Sequence, residues 1–311
     1  MQKERRQIMI RVIDKEVLSS DKKHPLKGKI YLPEGEPKGL LHVVHGMTEY
    51  IGRYDGFMRS MAEFGYITFG YDHIGHGQTA AEDELGYFAD NDGWKLLVDD
   101  VFIFGSEVQN EMGKDLPFVL MGHSMGSFIV RLTAAKYNHY DKLIIMGTGG
   151  PNPASGAGIA LAGMLKKFKG AHGYSDFIYS MAFGSYNKGL EHENDQYAWL
   201  SVDKANRDRY RKDPLCTFLF TISAMQDLVK LNKYSNDPSW FEKIDKKKPI
   251  LLVAGGEDPV GEHGKGVQKV CDLLKESGAD VSIKLYDGYR HEILQDFCKD
   301  TVTDDIRAFV G

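Results

Sequence analysis

The pentapeptide at residues 122–126, which reads G-H-S-M-G, constrains the fold of this 311-residue chain more than any other feature. An apolar run that predicts a strand, 118–121, precedes it, and a pattern that predicts a helix, 126–137, follows it. In a sharp strand-to-helix turn of this kind, the outer glycines make room for neighbouring backbone and the serine oxygen is presented at the end of the strand. The pattern therefore makes Ser124 a candidate nucleophile.

Short apolar runs recur along the chain with helical patterns between them, which is typical of an α/β protein. Several runs are almost continuously apolar, as expected for a mostly parallel sheet with helices on both faces. The predicted strands are 7–14, 29–32, 39–44, 66–70, 118–121, 142–146, 250–254 and 281–286. The predicted helices are 54–64, 93–111, 126–137, 266–277 and 303–310.

This alternation stops between residues 151 and 248, where helical patterns and many aromatic residues replace the strands. We predict an inserted helical cap at 151–248, carried by a core made of residues 1–150 and 249–311. Within the cap, residues 156–168 have apolar side chains at helical spacing and are followed by a basic end. This helix either packs on the core or lies as a lid on an anionic membrane surface.

A serine hydroxyl attacks a carbonyl group only when a neighbouring base takes its proton, and an acid must orient that base. In this type of fold the acid and the histidine follow the serine in the chain, in loops after later strands. Asp258 follows the predicted strand 250–254, and His291 follows the predicted strand 281–286. The sequence therefore predicts a catalytic triad of Ser124, Asp258 and His291.

Three other acidic residues near these strand ends compete with Asp258, namely Glu257, Asp287 and Asp296. Asp287 precedes a glycine in a predicted turn, and we expect Asp296 to lie in a helix. We therefore favour Asp258 as the acid.

An acyl-transfer site also needs donors for the oxyanion, and backbone N–H groups commonly serve. The serine turn supplies the N–H of Met125. The loop after the predicted strand 39–44 begins His45-Gly46-Met47, and Gly46 allows the chain to turn back over the serine. We predict that the N–H of Met47 is the second donor.

These motifs together resemble the monoacylglycerol lipase and lysophospholipase branch of the α/β-hydrolase fold, in its bacterial form. The resemblance covers about residues 28 to 310 and depends on His45-Gly46, residues 72–77, residues 122–126, Asp258-Pro259, His291-Glu292, and residues 199–201 and 213–218. It implies a serine hydrolase that cleaves fatty acyl esters of a glycerol-like alcohol without a cofactor. Ser124 would be the nucleophile, His291 the base and Asp258 the residue that orients the base.

Two positions depart from the family pattern. Tyr50 stands where the family often has histidine, and His73 stands where it often has arginine. Both departures leave the triad intact, but they leave the substrate preference open, and no substrate-binding residue is assigned.

Three other functions remain open. The substrate could be a short-chain or aromatic ester, such as a feruloyl ester. A serine aminopeptidase would need a carboxylate for an N-terminal ammonium group, and Glu49 or Glu191 is a candidate. A non-catalytic ligand-binding relative usually lacks one triad member, whereas this chain has all three.

Composition and short motifs exclude several classes of partner. The chain has 39 basic and 44 acidic residues and no long basic run, so it lacks the positive charge that nucleic acid requires. Gly75 and Gly77 fit a dinucleotide fingerprint only formally, because other residues separate them from the preceding strand. The pairs His42 with His45 and His73 with His76 lack a third ligand at a known spacing, so we expect no metal.

The N-terminus is polar and lacks the apolar stretch of an export signal. The three cysteines are too scattered for a disulfide framework or a zinc site. We therefore expect a cytoplasmic location. The oligomeric state is not predicted.

Overall fold

A computed structural model describes residues 9–311, and its strands form one eight-stranded sheet in the order β1-β2-β4-β3-β5-β6-β7-β8. Strand β2 runs antiparallel to both of its neighbours, and the other neighbouring pairs are parallel. The strands are β1 Arg11–Leu18, β2 Pro25–Leu32, β3 Gly39–Val44, β4 Tyr66–Tyr71, β5 Phe118–His123, β6 Lys142–Met146, β7 Ile250–Gly255 and β8 Val281–Tyr286.

Helices cover both faces of this sheet. Apolar side chains of α1 and α10 pack on one face, and those of α2, α3 and α9 pack on the other. The helices are α1 Asp55–Glu63, α2 Gly93–Met112, α3 Met125–Tyr137, α4 Ser155–Lys169, α5 Asp176–Phe183, α6 Lys204–Lys212, α7 Ile222–Ser235, α8 Pro238–Lys243, α9 Lys265–Glu276 and α10 Lys299–Val310. The predicted α/β-hydrolase fold is confirmed.

The predicted strands agree with the structure to within two residues, except for the first two, β1 and β2. Every residue of β3, β4, β5 and β7 is buried, which explains their continuous apolar runs. The first strand was predicted at 7–14, of which residues 7 and 8 lie outside the described residues, and it extends instead to Leu18 by pairing with Pro25 of β2. The prediction of a helix at Asp296 is wrong, because this residue lies in the turn before α10.

The order of the strands creates a crevice at one edge of the sheet. Strands β3 and β5 are neighbours, but the chain leaves β3 towards α1 on one face and leaves β5 towards α3 on the other. Such a divergence opens a crevice at the carboxyl ends of the two strands, where ligands bind in doubly wound folds. Met47 and Ser124 follow these two strands.

The chain between β6 and β7 contains α4 to α8, and residues 151–248 of it are named the cap segment. Helix α7 packs against α2 and α3, and α4 packs against α7. Helix α4 buries only Ser155 and Ala162, while Met164 and Phe168 are 51% and 83% exposed. Core packing therefore accounts for only a narrow stripe of α4. No helix within residues 9–311 is both long enough and apolar enough to cross a membrane.

Candidate active site

Ser124 occupies a strained turn between β5 and α3. Its backbone has φ 52° and ψ −121°, a conformation that non-glycine residues seldom adopt. A Cβ added to Gly122 would lie 2.2 Å from the carbonyl oxygen of Gly126, and one added to Gly126 would lie 2.2 Å from that of Val44. Both glycines are therefore required by close backbone contacts, and these contacts hold the serine at the end of the strand.

Asp258 and His291 meet beyond the carboxyl ends of β7 and β8. The Nδ1 atom of His291 lies 2.9 Å from Oδ2 of Asp258. The Asp258 side chain is fully buried, and its second oxygen accepts a hydrogen bond from the N–H of Val260 at 2.9 Å. A carboxylate at Nδ1 favours the tautomer with a proton on that nitrogen, which leaves Nε2 as the basic atom.

A cavity of about 650 Å³ contains both Ser124 and His291 in its lining. Among the described residues, no hydrogen bond joins the side chains of these two residues, and the only side-chain hydrogen bond of His291 is the one to Asp258. The remaining wall is largely aromatic and aliphatic, and most of it comes from the cap segment. Helix α3 contributes Phe128, and the cap segment contributes Tyr179, Phe183, Tyr186, Trp199, Phe218 and Leu228.

The two predicted oxyanion donors lie at this cavity as well. Met47 and Met125 both contribute to its lining. Met125 is the first residue of α3, where the N–H group has no carbonyl partner within the helix. A Cβ added to Gly46 would lie 2.8 Å from Cβ of Ser124, so the loop after β3 passes directly over the serine.

A buried pair of ionisable residues, Glu49 and His123, connects the loop after β3 to the residue before Ser124. Oε1 of Glu49 lies 2.9 Å from Nδ1 of His123 and accepts the N–H of Gly46 at 2.5 Å. Burial alone would raise the pKa of Glu49, but His123 and Arg53 outweigh it and lower that pKa to about 2. Burial opposes the charge of His123, but the carboxylate raises the pKa of this histidine above its ordinary value. Each group of the pair therefore favours the charged form of the other.

A second buried ion pair joins Arg53, in the turn before α1, to Glu292, which directly follows His291. The guanidinium donates to both carboxylate oxygens, at 2.5 and 2.9 Å. Asn206 of α6 donates to Glu292 at 2.7 Å. Neither ion pair was predicted, because nothing in the local sequence connects residues so far apart.

The other histidines considered in the sequence have structural surroundings. His42, His73 and His76 are fully buried, and burial lowers the pKa of the first two to about 3 and that of His76 to about 4. Within residues 9–311, no group of three or more histidine, cysteine or acidic side chains is arranged to hold a metal ion. A Cβ added to Gly75 would lie 2.4 Å from the carbonyl oxygen of Tyr87, so this glycine is needed for a close approach between chain segments.

The order of the candidate catalytic residues along the chain identifies the class of enzyme. A serine after β5, an acid after β7 and a histidine after β8 follow one another at the same edge of the sheet, which is the order found in α/β-hydrolases. The fold and the site define a serine ester hydrolase of that class.

Known proteins place the chain within this class. It is 27% identical to the human monoglyceride lipase over 273 residues, covering 85% of this chain and 78% of that protein. It is 23% identical over 297 residues to a monoacylglycerol lipase of Mycolicibacterium smegmatis, covering 90% of this chain and 91% of that protein. The structure of a thermostable carboxyl esterase from Bacillus coagulans, solved with glycerol, superposes with a TM-score of 0.89 at 29% identity, covering 97% and 98% of the two chains.

The pattern of the family described as serine aminopeptidase S33 matches residues 35–297. The chain belongs to this family. The resemblance stated from the sequence motifs is confirmed.

Proposed function

We propose that this chain hydrolyses carboxylic esters of the monoacylglycerol type, with Ser124 as nucleophile, His291 as general base and Asp258 as the residue that orients the base. The observation that carries the proposal is the short contact between His291 and Asp258 at the wall of a cavity that also contains the strained Ser124. A histidine with a buried carboxylate at Nδ1 and a serine at the wall of the same cavity fit the requirements of a base-activated nucleophile.

In the proposed reaction, Nε2 of His291 takes the Ser124 proton as the serine oxygen attacks the ester carbonyl. The N–H groups of Met47 and Met125 stabilise the negative oxygen, each worth about 10²–10³ in rate. The alcohol leaves with the proton held by His291, and Asp258 stabilises the imidazolium. Water then attacks the acyl-enzyme with the help of the same base, which releases the fatty acid and regenerates the serine.

The wall of the cavity supports an acyl chain as the bound group. Aromatic and aliphatic side chains dominate this wall, and burial of each CH₂ group contributes about 0.8 kcal/mol. The relatives described as monoglyceride lipases and the esterase solved with glycerol support a glycerol-like alcohol. No cofactor takes part in this chemistry.

The family name raises the aminopeptidase alternative, but neither predicted carboxylate suits it. Glu49 is buried and already accepts hydrogen bonds from Gly46, Tyr54 and His123. Glu191 is exposed on the surface of the cap segment. An N-terminal ammonium group in the cavity would therefore lack a free carboxylate at either position.

The experiment is a hydrolysis panel of p-nitrophenyl esters from acetate to palmitate, with 1-monooleoylglycerol, methyl ferulate and an aminoacyl p-nitroanilide. Wild type, Ser124→Ala and the control Ser239→Ala, an exposed serine of α8, are compared. We expect wild type and the control to favour medium or long acyl chains and Ser124→Ala to be inactive. A preference for acetate or ferulate would change the substrate class, and full activity in Ser124→Ala would contradict the assignment of the nucleophile.

We further propose that the cap segment makes transient contact with anionic membrane. Exposed apolar side chains of α4 and α5 support this, namely Met164, Phe168, Phe177 and Met181, together with Lys167 and Lys169. An apolar surface with a basic margin fits an anionic lipid interface. Sedimentation of the protein with phosphatidylglycerol vesicles should exceed that with phosphatidylcholine vesicles, and Phe168→Ser should reduce the sedimentation with phosphatidylglycerol.

The cytoplasmic location stays a prediction.

A further inference from the structure

His291 lies in a loop that is bound on both sides to one part of the cap segment. We name residues 287–298, between β8 and α10, the base loop, and residues 193–207 the cap arm. The N–H of Glu292 donates to the carbonyl oxygen of Leu200 at 2.8 Å. The carboxylate of Asp296 accepts the hydroxyl of Ser201 at 2.7 Å and the N–H of Val202 at 2.8 Å. These contacts join the base loop to the cap arm after His291.

Arg290 makes the corresponding connection before His291. Its Nη2 atom donates to Oε1 of Glu193 at 2.5 Å, and its Nη1 atom donates to the carbonyl oxygen of Ala198 at 2.7 Å. The side chains of Arg290 and Glu193 are only 11% and 19% exposed. Arg207 of the same arm holds the other oxygen of Glu193 at 2.8 Å, which fixes the position of this carboxylate. Arg290, the residue directly before His291, therefore binds a carboxylate that a second arginine holds from its other side.

The segment that Arg290 holds carries an aromatic ring against the base. Trp199 directly follows Ala198, and its ring lies 5.2 Å from that of His291, measured between centroids. Trp199 also lines the cavity. The position of Trp199 and the position of His291 are thus set by the same connection.

We propose that Arg290 is a positioning residue, which joins the base loop to the cap arm through Glu193 and the carbonyl oxygen of Ala198. This connection holds His291 between Asp258 on one side and Trp199 on the other. The proposal rests on the proposed function of His291 as the base. Misplacement of a catalytic group by about 1 Å can cost about 10²-fold in rate, so a small movement of this loop has a large effect on turnover.

The test is a double-mutant cycle of Arg290→Gln and Glu193→Gln, with Arg290→Lys as the conservative variant. The readouts are kcat and KM for the preferred ester and the melting temperature. Each single variant should lose about tenfold in kcat, with KM within about threefold of wild type. The double variant should lose no more than either single variant, because the two side chains act as one unit. Arg290→Lys should recover most of the rate, since the lysine can still pair with Glu193.

Arg59→Gln is the matched control, because Arg59 forms an ion pair with Asp55 of α1 at 2.8 Å on the surface of the core. This variant should keep wild-type kcat. Wild-type kcat in Arg290→Gln, additive losses in the double variant, or a loss of kcat that follows a fall in melting temperature in every variant would overturn the proposal. Activity in Ser124→Ala separates these outcomes from a failure of the proposed function, because a wrong nucleophile would leave that variant active.

Discussion

The buried Glu49 carboxylate lies 2.9 Å from Nδ1 of His123, and this contact connects three segments of the site. Glu49 also accepts the N–H of Gly46 in the loop after β3. The other ring nitrogen of His123 lies 3.2 Å from the carbonyl oxygen of His291. Glu49 and His123 therefore join the loop over the serine, the serine turn and the base loop.

Replacement of Glu49 by glutamine should destabilise the fold and reduce activity. The amide can still accept from Gly46, but it removes the carboxylate partner of His123 and one of the two carboxylates beside Arg53, which keeps Glu292. Breaking a buried ion pair from one side typically costs about 3–5 kcal/mol. Urea unfolding at neutral pH measures this loss, with Glu63→Gln, an exposed glutamate of α1, as control. Equal stability of the two variants would mean that the Glu49 charge contributes nothing.

Asp258→Asn should abolish most of the activity while the fold is retained. An amide at this position keeps the shape of the side chain but does not hold the protonated imidazole, and such a change costs about 10⁴-fold in kcat in serine hydrolases with this triad. Asp287→Asn is the comparison, because Asp287 is an exposed residue in the turn after β8. If Asp287→Asn loses the activity and Asp258→Asn keeps it, the acid has been assigned to the wrong residue.

His42→Leu should stabilise the protein increasingly as the pH falls. Both ring nitrogens of His42 are buried without a hydrogen-bond partner in residues 9–311, and its ring stacks on Phe69. Burial lowers the pKa of His42 to about 3, so below the ordinary value of 6.5 the unfolded chain takes up a proton that the folded chain excludes. Wild type therefore loses stability in this range, whereas the leucine variant avoids this contribution.

The difference in the free energy of unfolding between His42→Leu and wild type should grow by about 2 kcal/mol from about pH 7.5 to about pH 5. Denaturant unfolding at several pH values measures it. A gain of the same size and pH dependence in His192→Leu, at an exposed position of the cap segment, would contradict burial as the cause.

Two glycine-to-alanine changes should have opposite effects on the melting temperature. Gly126→Ala brings a methyl group to 2.2 Å from the carbonyl oxygen of Val44, so it should lower the melting temperature and displace the serine turn. In Gly56→Ala, within α1, the added methyl group meets no atom within 4 Å in the described residues, apart from its chain neighbours and the helix backbone, and the change should stabilise the protein by about 0.5–1 kcal/mol. Thermal unfolding of both variants tests this, and a neutral Gly126→Ala would show that the turn can relax.

The positions of the candidate site residues could be predicted because each one follows a recognisable strand. The strands before Ser124 and Asp258 are continuous buried runs, and the one before His291 alternates between half-buried and exposed residues. Parallel strands end at the same edge of the sheet, so the three residues are brought to that edge. The charged pairs could not be predicted in this way. Arg53 and Glu292 are 239 positions apart, and charged side chains carry no periodic signal of burial or of partner.

The prediction for Asp296 failed for a related reason. The local sequence favours a helix at Asp296, but the Asp296 carboxylate accepts hydrogen bonds from Ser201 and Val202 of the cap segment. These contacts compete with the helix and hold the residue in a turn. The outcome depends on tertiary contacts that are absent from the local sequence.

Strand β8 lies at the edge of the sheet, pairs with β7 and precedes the base loop. During synthesis, the chain leaves the ribosome from its N-terminus at about 5–20 residues per second, and a domain generally folds as a unit. Ser124 therefore emerges well before His291. With His291 as the proposed base, the nascent chain would stay inert, and turnover would begin only after the final edge strand has docked.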